Sequence, residues 1–138
     1  MREQEIFDKL FPLIREVTGA KPERISMRSG LMEDLGAESL DLLDLTFLIE
    51  EEFGVVIEAN EFERRASARL NGAPYEKNGL LTDEGLAELR RALPDIPPEK
   101  LSHPLPKQAL PRLLNVAVFV HLIELKLALA EEESRHAS

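Results

Sequence analysis

The 138-residue chain contains no cysteine and no tryptophan. Without a thiol of its own it can form no disulfide framework, no cysteine-ligated metal site and no cysteine nucleophile. Any thioester chemistry would need a sulfur brought in covalently. Aromatic residues make up only 5% of the chain, so a core must be built mostly from Leu, Ile, Val and Ala, a composition that suits helices packed on helices. The opening residues, Met1-Arg2-Glu3-Gln4-Glu5, lack the basic start and apolar run of a signal peptide, and the expected location is the cytoplasm. A further absence is local. From Ser29 to Glu63 there is no Lys or Arg at all.

That same stretch holds 11 acids: Glu33, Asp34, Glu38, Asp41, Asp44, Glu50, Glu51, Glu52, Glu58, Glu61 and Glu63. The whole chain has 17 basic and 26 acidic residues, a net charge of -9, so outside this stretch the balance is slightly positive. The acidity therefore belongs to one segment. It would repel the phosphates of a nucleic acid and attract basic partners. The plainer alternative is a solvated face that only confers solubility. With 43% hydrophobic and 31% charged residues, the chain reads as soluble and globular rather than disordered. Its length allows one domain with a real core, or a small domain with an extension.

Ile6, Leu10, Leu13, Ile14 and Val17 recur at helical spacing and predict a first helix ending near Gly19. Pro12 interrupts that pattern and predicts either a kink or a late start. A long loop then runs from Lys21-Pro22-Glu23 to Gly36. A second helix is expected from Ser39 to about Phe53, stopped by Gly54. Its apolar residues cover more than half the circumference, with acids on the remainder. A short helix is expected within Glu58 to Leu70, closed by Asn71-Gly72, and Asn78-Gly79 marks another turn. Thr82 is a plausible N-cap for a helix from Asp83 to Leu93. Six prolines between Pro94 and Pro111 then make a connector that cannot be helical throughout. A last helix is expected from Arg112 to Ala130, with Leu113, Val116, Val120, Ile123 and Leu127 in register. Asn115, His121, Glu124 and Lys126 interrupt it, which argues against a membrane span.

The stretch Leu31-Met32-Glu33-Asp34-Leu35-Gly36-Ala37-Glu38-Ser39-Leu40-Asp41 places a serine where a glycine-containing loop meets an acidic, apolar helix. A helix N-terminus carries unpaired amides and partial positive charge, so a phosphodiester on that serine would be well placed. Taken by position alone, Ser39 is more readily a simple N-cap, a common role for serine.

This segment resembles the acyl carrier proteins. Their loop has the form Leu-Gly-Ala/Gly/Met-Asp-Ser-Leu-Asp, entered through Glu-Asp-Leu and followed by an acidic helix ending Glu-Glu-Phe-Gly. The matching residues are Glu33-Asp34-Leu35-Gly36-Ala37-Glu38-Ser39-Leu40-Asp41 and Glu50-Glu51-Glu52-Phe53-Gly54. Close likeness covers about Ile6 to Ile57, with a looser echo from Leu113 to Ile123. The resemblance implies an all-α bundle of three main helices plus a short one. It implies a 4′-phosphopantetheine arm on Ser39, added from coenzyme A by a phosphopantetheinyl transferase. The arm's thiol, carrying acyl groups as thioesters, would supply the sulfur that the chain lacks. It further implies that Glu38, Asp41, Asp44, Glu50 and Glu51 meet basic patches on partner enzymes, such as acyl-ACP synthetases, ketosynthases or acyltransferases. Leu40, Leu43 and Phe47 would face an interior that shelters the acyl chain.

Two features depart from the family pattern. Glu38 replaces the usual aspartate before the serine. The segment from about Arg64 to Leu110 has no counterpart in the compact carriers. The expected organisation is thus a single, monomeric carrier domain. Its core would come from residues 3–63 and 112–130, with a helical, proline-rich insertion over residues 64–111. Such an insertion points to a carrier dedicated to a specialised fatty-acid, lipid or polyketide pathway. A peptidyl or aminoacyl carrier is the alternative within the class, against which Ala37-Glu38 and the acidic helix argue. An unmodified helical interaction module is the alternative outside it. No catalytic residue is expected, since nothing like a nucleophile elbow surrounds Ser39. Neither His103 nor His121 has a metal-ligand partner at suitable spacing.

Overall fold

Ile6, Leu10 and Ile14 recur every four residues and are wholly buried in the first helix, α1 (Glu3–Thr18). In the computed structural model, which describes residues 1–58 and 60–137, this helix packs against both the second and the last helix of the chain. Fully burying an Ile or Leu is worth about 1.5–3 kcal/mol, so these three residues anchor the bundle. The late start allowed by Pro12 does not occur. Pro12 lies inside α1 on its exposed side, where water can take over the carbonyl that loses its bond. The helix ends at Gly19, as its sequence predicts.

The second helix, α2, spans Ser39–Phe53 and is stopped by Gly54 in the left-handed conformation. Its buried side is Leu45, Ile49 and Phe53. The last helix, α5, spans Val116–Ala137, which corrects the expected 112–130 at both ends. Lys107–Leu113 forms 3₁₀ turns around Pro111, and Leu114 is extended, so α-helix begins only beyond them. At the other end the acidic run Glu131–Glu133 continues the helix, aided by an Arg135–Glu131 pair one turn apart.

By its internal packing the chain divides into two units: Met1–Ile57 with Asn115–Ser138, and Glu58–Leu114. The first is the α1, α2, α5 bundle. The second begins with the short helix α3 (Glu61–Ala68), which packs against α4 (Asp83–Ala92). Between them β1 (Glu76–Lys77) and β2 (Leu80–Leu81) form a two-stranded antiparallel hairpin that the sequence reading reduced to a turn. Its connection, Asn78-Gly79, has positive φ at both residues (55° and 83°), the type I′ geometry that matches strand twist. Thr82 caps α4 as expected, its Oγ accepting from the Gly85 N–H at 3.0 Å and donating to the Pro74 carbonyl at 2.7 Å. Leu86, Leu89 and Leu93 are buried together with Leu81, Ile96 and Leu101. Gly85 is required by close approach, because a Cβ there would lie 2.6 Å from the Tyr75 carbonyl oxygen. The architecture is all-α, with the hairpin as its only sheet among the described residues.

Candidate functional site

Ser39 stands at the head of α2, and the loop before it determines how it is presented. Leu31, Leu35 and Ala37 are buried and pin the loop to the bundle. Backbone bonds from Leu35 and Asp34 to the Gly30 carbonyl, and from Ala37 to the Leu31 carbonyl, fold it into consecutive turns. The Asp34 carboxylate accepts from the Gly30 N–H at 2.7 Å, and the Arg24 guanidinium donates to the Asp34 carbonyl at 2.9 Å. Gly36 has φ 76°, with nothing within 4 Å of a Cβ built there. Glycine is favoured at this position by backbone conformation, not by crowding.

The N-cap position of α2 belongs to Glu38, whose backbone N–H donates to Asp41 Oδ2 at 2.8 Å. Ser39 is the first helical residue and is exposed. Its hydroxyl is therefore not used for capping and faces solvent beside the unpaired amides of the first turn. A phosphate bonded to it would sit where those amides and the helix dipole favour negative charge. The residues present fit a phosphodiester-linked group.

Leu40, Leu43 and Phe47 correct the sequence reading. They are 71%, 41% and 56% exposed and do not face the interior. At about 100° per residue they lie roughly half a turn away from Leu45, Ile49 and Phe53, which do. Apolar residues surround so much of α2 that spacing alone could not choose between the two faces. The result is an apolar stripe on the outside of the helix. Asp44 and Glu51 border one side of it and Glu50 the other, all three exposed. Glu38 is exposed and Asp41 half-buried at the same end of the helix as Ser39.

Elsewhere the chemistry is sparse. No group of His, Asp or Glu among the described residues could hold a metal ion. His121 pairs with Glu3 at 3.4 Å, joining α5 to the start of α1. His103 lines an open cleft of about 340 Å³ with Lys77, Asn78, Thr82, Asp83 and Glu84, a mixture of charges without a convergent ligand set. The Tyr75 hydroxyl is buried without a hydrogen-bond partner, and burial beside Glu63 and Glu76 pushes its pKa well above the usual 10. No helix among the described residues is long and apolar enough to cross a membrane.

A small helical bundle that offers an unencumbered serine at a helix start, flanked by an acid-bordered apolar stripe, is the architecture of a carrier. The family profile described as the phosphopantetheine attachment site matches residues 8–69. The acyl carrier protein of Thermotoga maritima is 39% identical over 61 residues, covering 44% of this chain and 75% of that protein. That of Borrelia garinii subsp. bavariensis is 44% identical over 66 residues, covering 46% of this chain and 82% of the relative. That of Petrotoga mobilis is 36% identical over 64 residues, covering 46% and 75%. The chain belongs to the acyl carrier protein family. It is a phosphopantetheine-dependent carrier of acyl intermediates and not itself an enzyme. No solved structure gives a significant match.

Proposed function

We propose that Ser39 is the attachment point of the arm and that the chain is one carrier domain with an insertion over about residues 64–111, serving a specialised cytoplasmic fatty-acid, lipid or polyketide pathway. The observation that carries the reading is the free, exposed Ser39 hydroxyl at the head of α2, with capping left to Glu38. In loading, Ser39 Oγ forms a P–O bond to the pantetheine-side phosphorus of coenzyme A. The pyrophosphate bridge breaks, adenosine 3′,5′-bisphosphate leaves, and the hydroxyl proton passes to a base of the transferase. Once attached, the arm supplies a terminal thiol that holds acyl groups as thioesters. The chain's own residues do the rest. The α2 amides would hold the phosphate, and the acids along α2 would attract enzymes bearing Arg/Lys patches, such as the transferase, acyl-ACP synthetases, ketosynthases and acyltransferases. The stripe of Leu40, Leu43 and Phe47 gives those partners an apolar surface to cover.

Intact mass tests the assignment. With coenzyme A and a broad-specificity transferase the chain gains one phosphopantetheine, whereas Ser39→Ala gains none and retains its helical circular dichroism. Modification of the Ala variant would move the site elsewhere.

A further inference from the structure

Among the described residues the buried polar side chains are Ser29 and Asn115, 7% and 8% exposed. They are far apart in sequence and adjoin in the fold, because Gly30 and Asn115 form an isolated antiparallel bridge. A helix begins with unpaired N–H groups, and in α5 the loop leading to Ser39 supplies their acceptors. Val116 donates to the Ser29 carbonyl at 3.0 Å and Ala117 to the Met27 carbonyl at 2.9 Å. Val118 donates to Asn115 Oδ1 at 3.1 Å, the N-cap arrangement. On the loop side, Ser29 Oγ donates to the Arg24 carbonyl at 2.6 Å and accepts from the Ser26 N–H at 3.0 Å. Gly30 then passes the constraint on through Asp34 and Leu35 to the turns that end at Ser39. The start of α5 and the Ser39 loop are a single hydrogen-bonded body.

We infer that Asn115 and Ser29 are positioning residues that hold the loop in the conformation in which Ser39 is offered to its transferase. The inference rests on the assignment of Ser39 and goes beyond it. The loop has neither helix nor sheet of its own over residues 31–38, so removing the Asn115 carbonyl orphans a buried N–H and loosens the bridge beside Gly30. The loop then samples other conformers, and a partner that binds one of them meets it at reduced population. Apparent affinity falls by that fraction, while events after docking are unchanged.

The test uses the full chain as protein substrate for a phosphopantetheinyl transferase with coenzyme A. It is accompanied by amide hydrogen exchange. Asn115→Leu, matched in size but without an acceptor, is expected to raise KM for the carrier about five- to tenfold with kcat kept within about twofold. Asn115→Asp, which keeps the capping oxygen, restores KM to near the parent value. In the Leu variant the amides of Gly30, Leu35 and Ala37 exchange faster, while those of Leu45 to Phe53 do not change. A folded Leu variant with parental KM, or with parental exchange at those three amides, overturns the inference. Should Asn115→Leu fail to fold, Ser29→Ala is read by the same two criteria. If the parent chain accepts no arm, the Ser39 assignment fails, and the exchange comparison alone still decides whether Asn115 and Ser29 hold the loop.

Discussion

The two units of the chain differ in where their charge sits. Residues 58–114 carry nine Lys or Arg against nine Asp or Glu, while the α1, α2, α5 bundle carries eight against 17. The whole net charge of the protein therefore resides in the bundle. The two also differ in how they hold shape. The bundle relies on three long helices, whereas the other unit strings together short helices, 3₁₀ turns and a six-residue hairpin, fastened by Thr82, by Gly85 and by leucines of α4. Surplus charge opposes compaction, and the balanced unit shows that this sequence can order a core without it. The surplus acids of α2 are thus not a requirement of folding, which leaves them for the partner encounters proposed above.

The contrast is broken most severely through the core of the balanced unit. Leu89 is wholly buried in α4, and Leu89→Ala is expected to cost about 2–5 kcal/mol through lost burial and a residual cavity. Denaturant melts and faster exchange of the α4 amides report the loss. An equal change on the exposed side of α2 would leave stability almost unaltered. A smaller effect, and one of a different kind, comes from charge. Reversing Asp44 and Glu51 to Lys is expected to slow association with basic partner enzymes about tenfold at low salt, with little change in melting temperature. Added salt should narrow the gap between parent and variant. Stopped-flow association rates that ignore both charge and salt would remove the steering role from α2. A substitution at Gly85 acts on stability again. Glycine to alanine in a helix interior ordinarily gains up to about 1 kcal/mol. Here the new Cβ would meet the Tyr75 carbonyl oxygen at 2.6 Å, so a net loss of about 1–3 kcal/mol is expected. A thermal melt that shifts upward would show that the hairpin can move aside.

How far these features were readable in advance varied with the kind of signal. The bounds of α2 were visible because Gly54 supplies a stop and the motif before Ser39 supplies a start. Thr82 announced α4 through ordinary capping chemistry. The inward placing of Leu40, Leu43 and Phe47 rests on the family resemblance, and spacing could not correct it because they keep helical register as faithfully as Leu45, Ile49 and Phe53. Only tertiary packing distinguishes the two sets. The early start expected for α5 at Arg112 comes from counting Leu113 and Leu114 into the apolar pattern, where the backbone is still too tight or too extended for α-helix. An Asn directly ahead of an apolar run was available as a start signal at Asn115 and would have corrected it. The partnership of Asn115 with the Ser39 loop was not legible, since it joins residues more than 80 positions apart.

The acid-bordered stripe on α2 also bears on how the protein treats copies of itself. An exposed apolar surface invites self-association, and the most complementary apolar surface in a solution of one protein is often its own. Two copies meeting stripe to stripe would bring Asp44, Glu50 and Glu51 of each toward the same acids of the other, with no Lys or Arg between Ser29 and Glu63 to relieve the repulsion. On the docking role proposed above for α2, that border would disfavour homodimers and favour a surface of opposite sign. A concentrated solution of the protein could then keep the stripe of Leu40, Leu43 and Phe47 uncovered, as the proposed docking role needs.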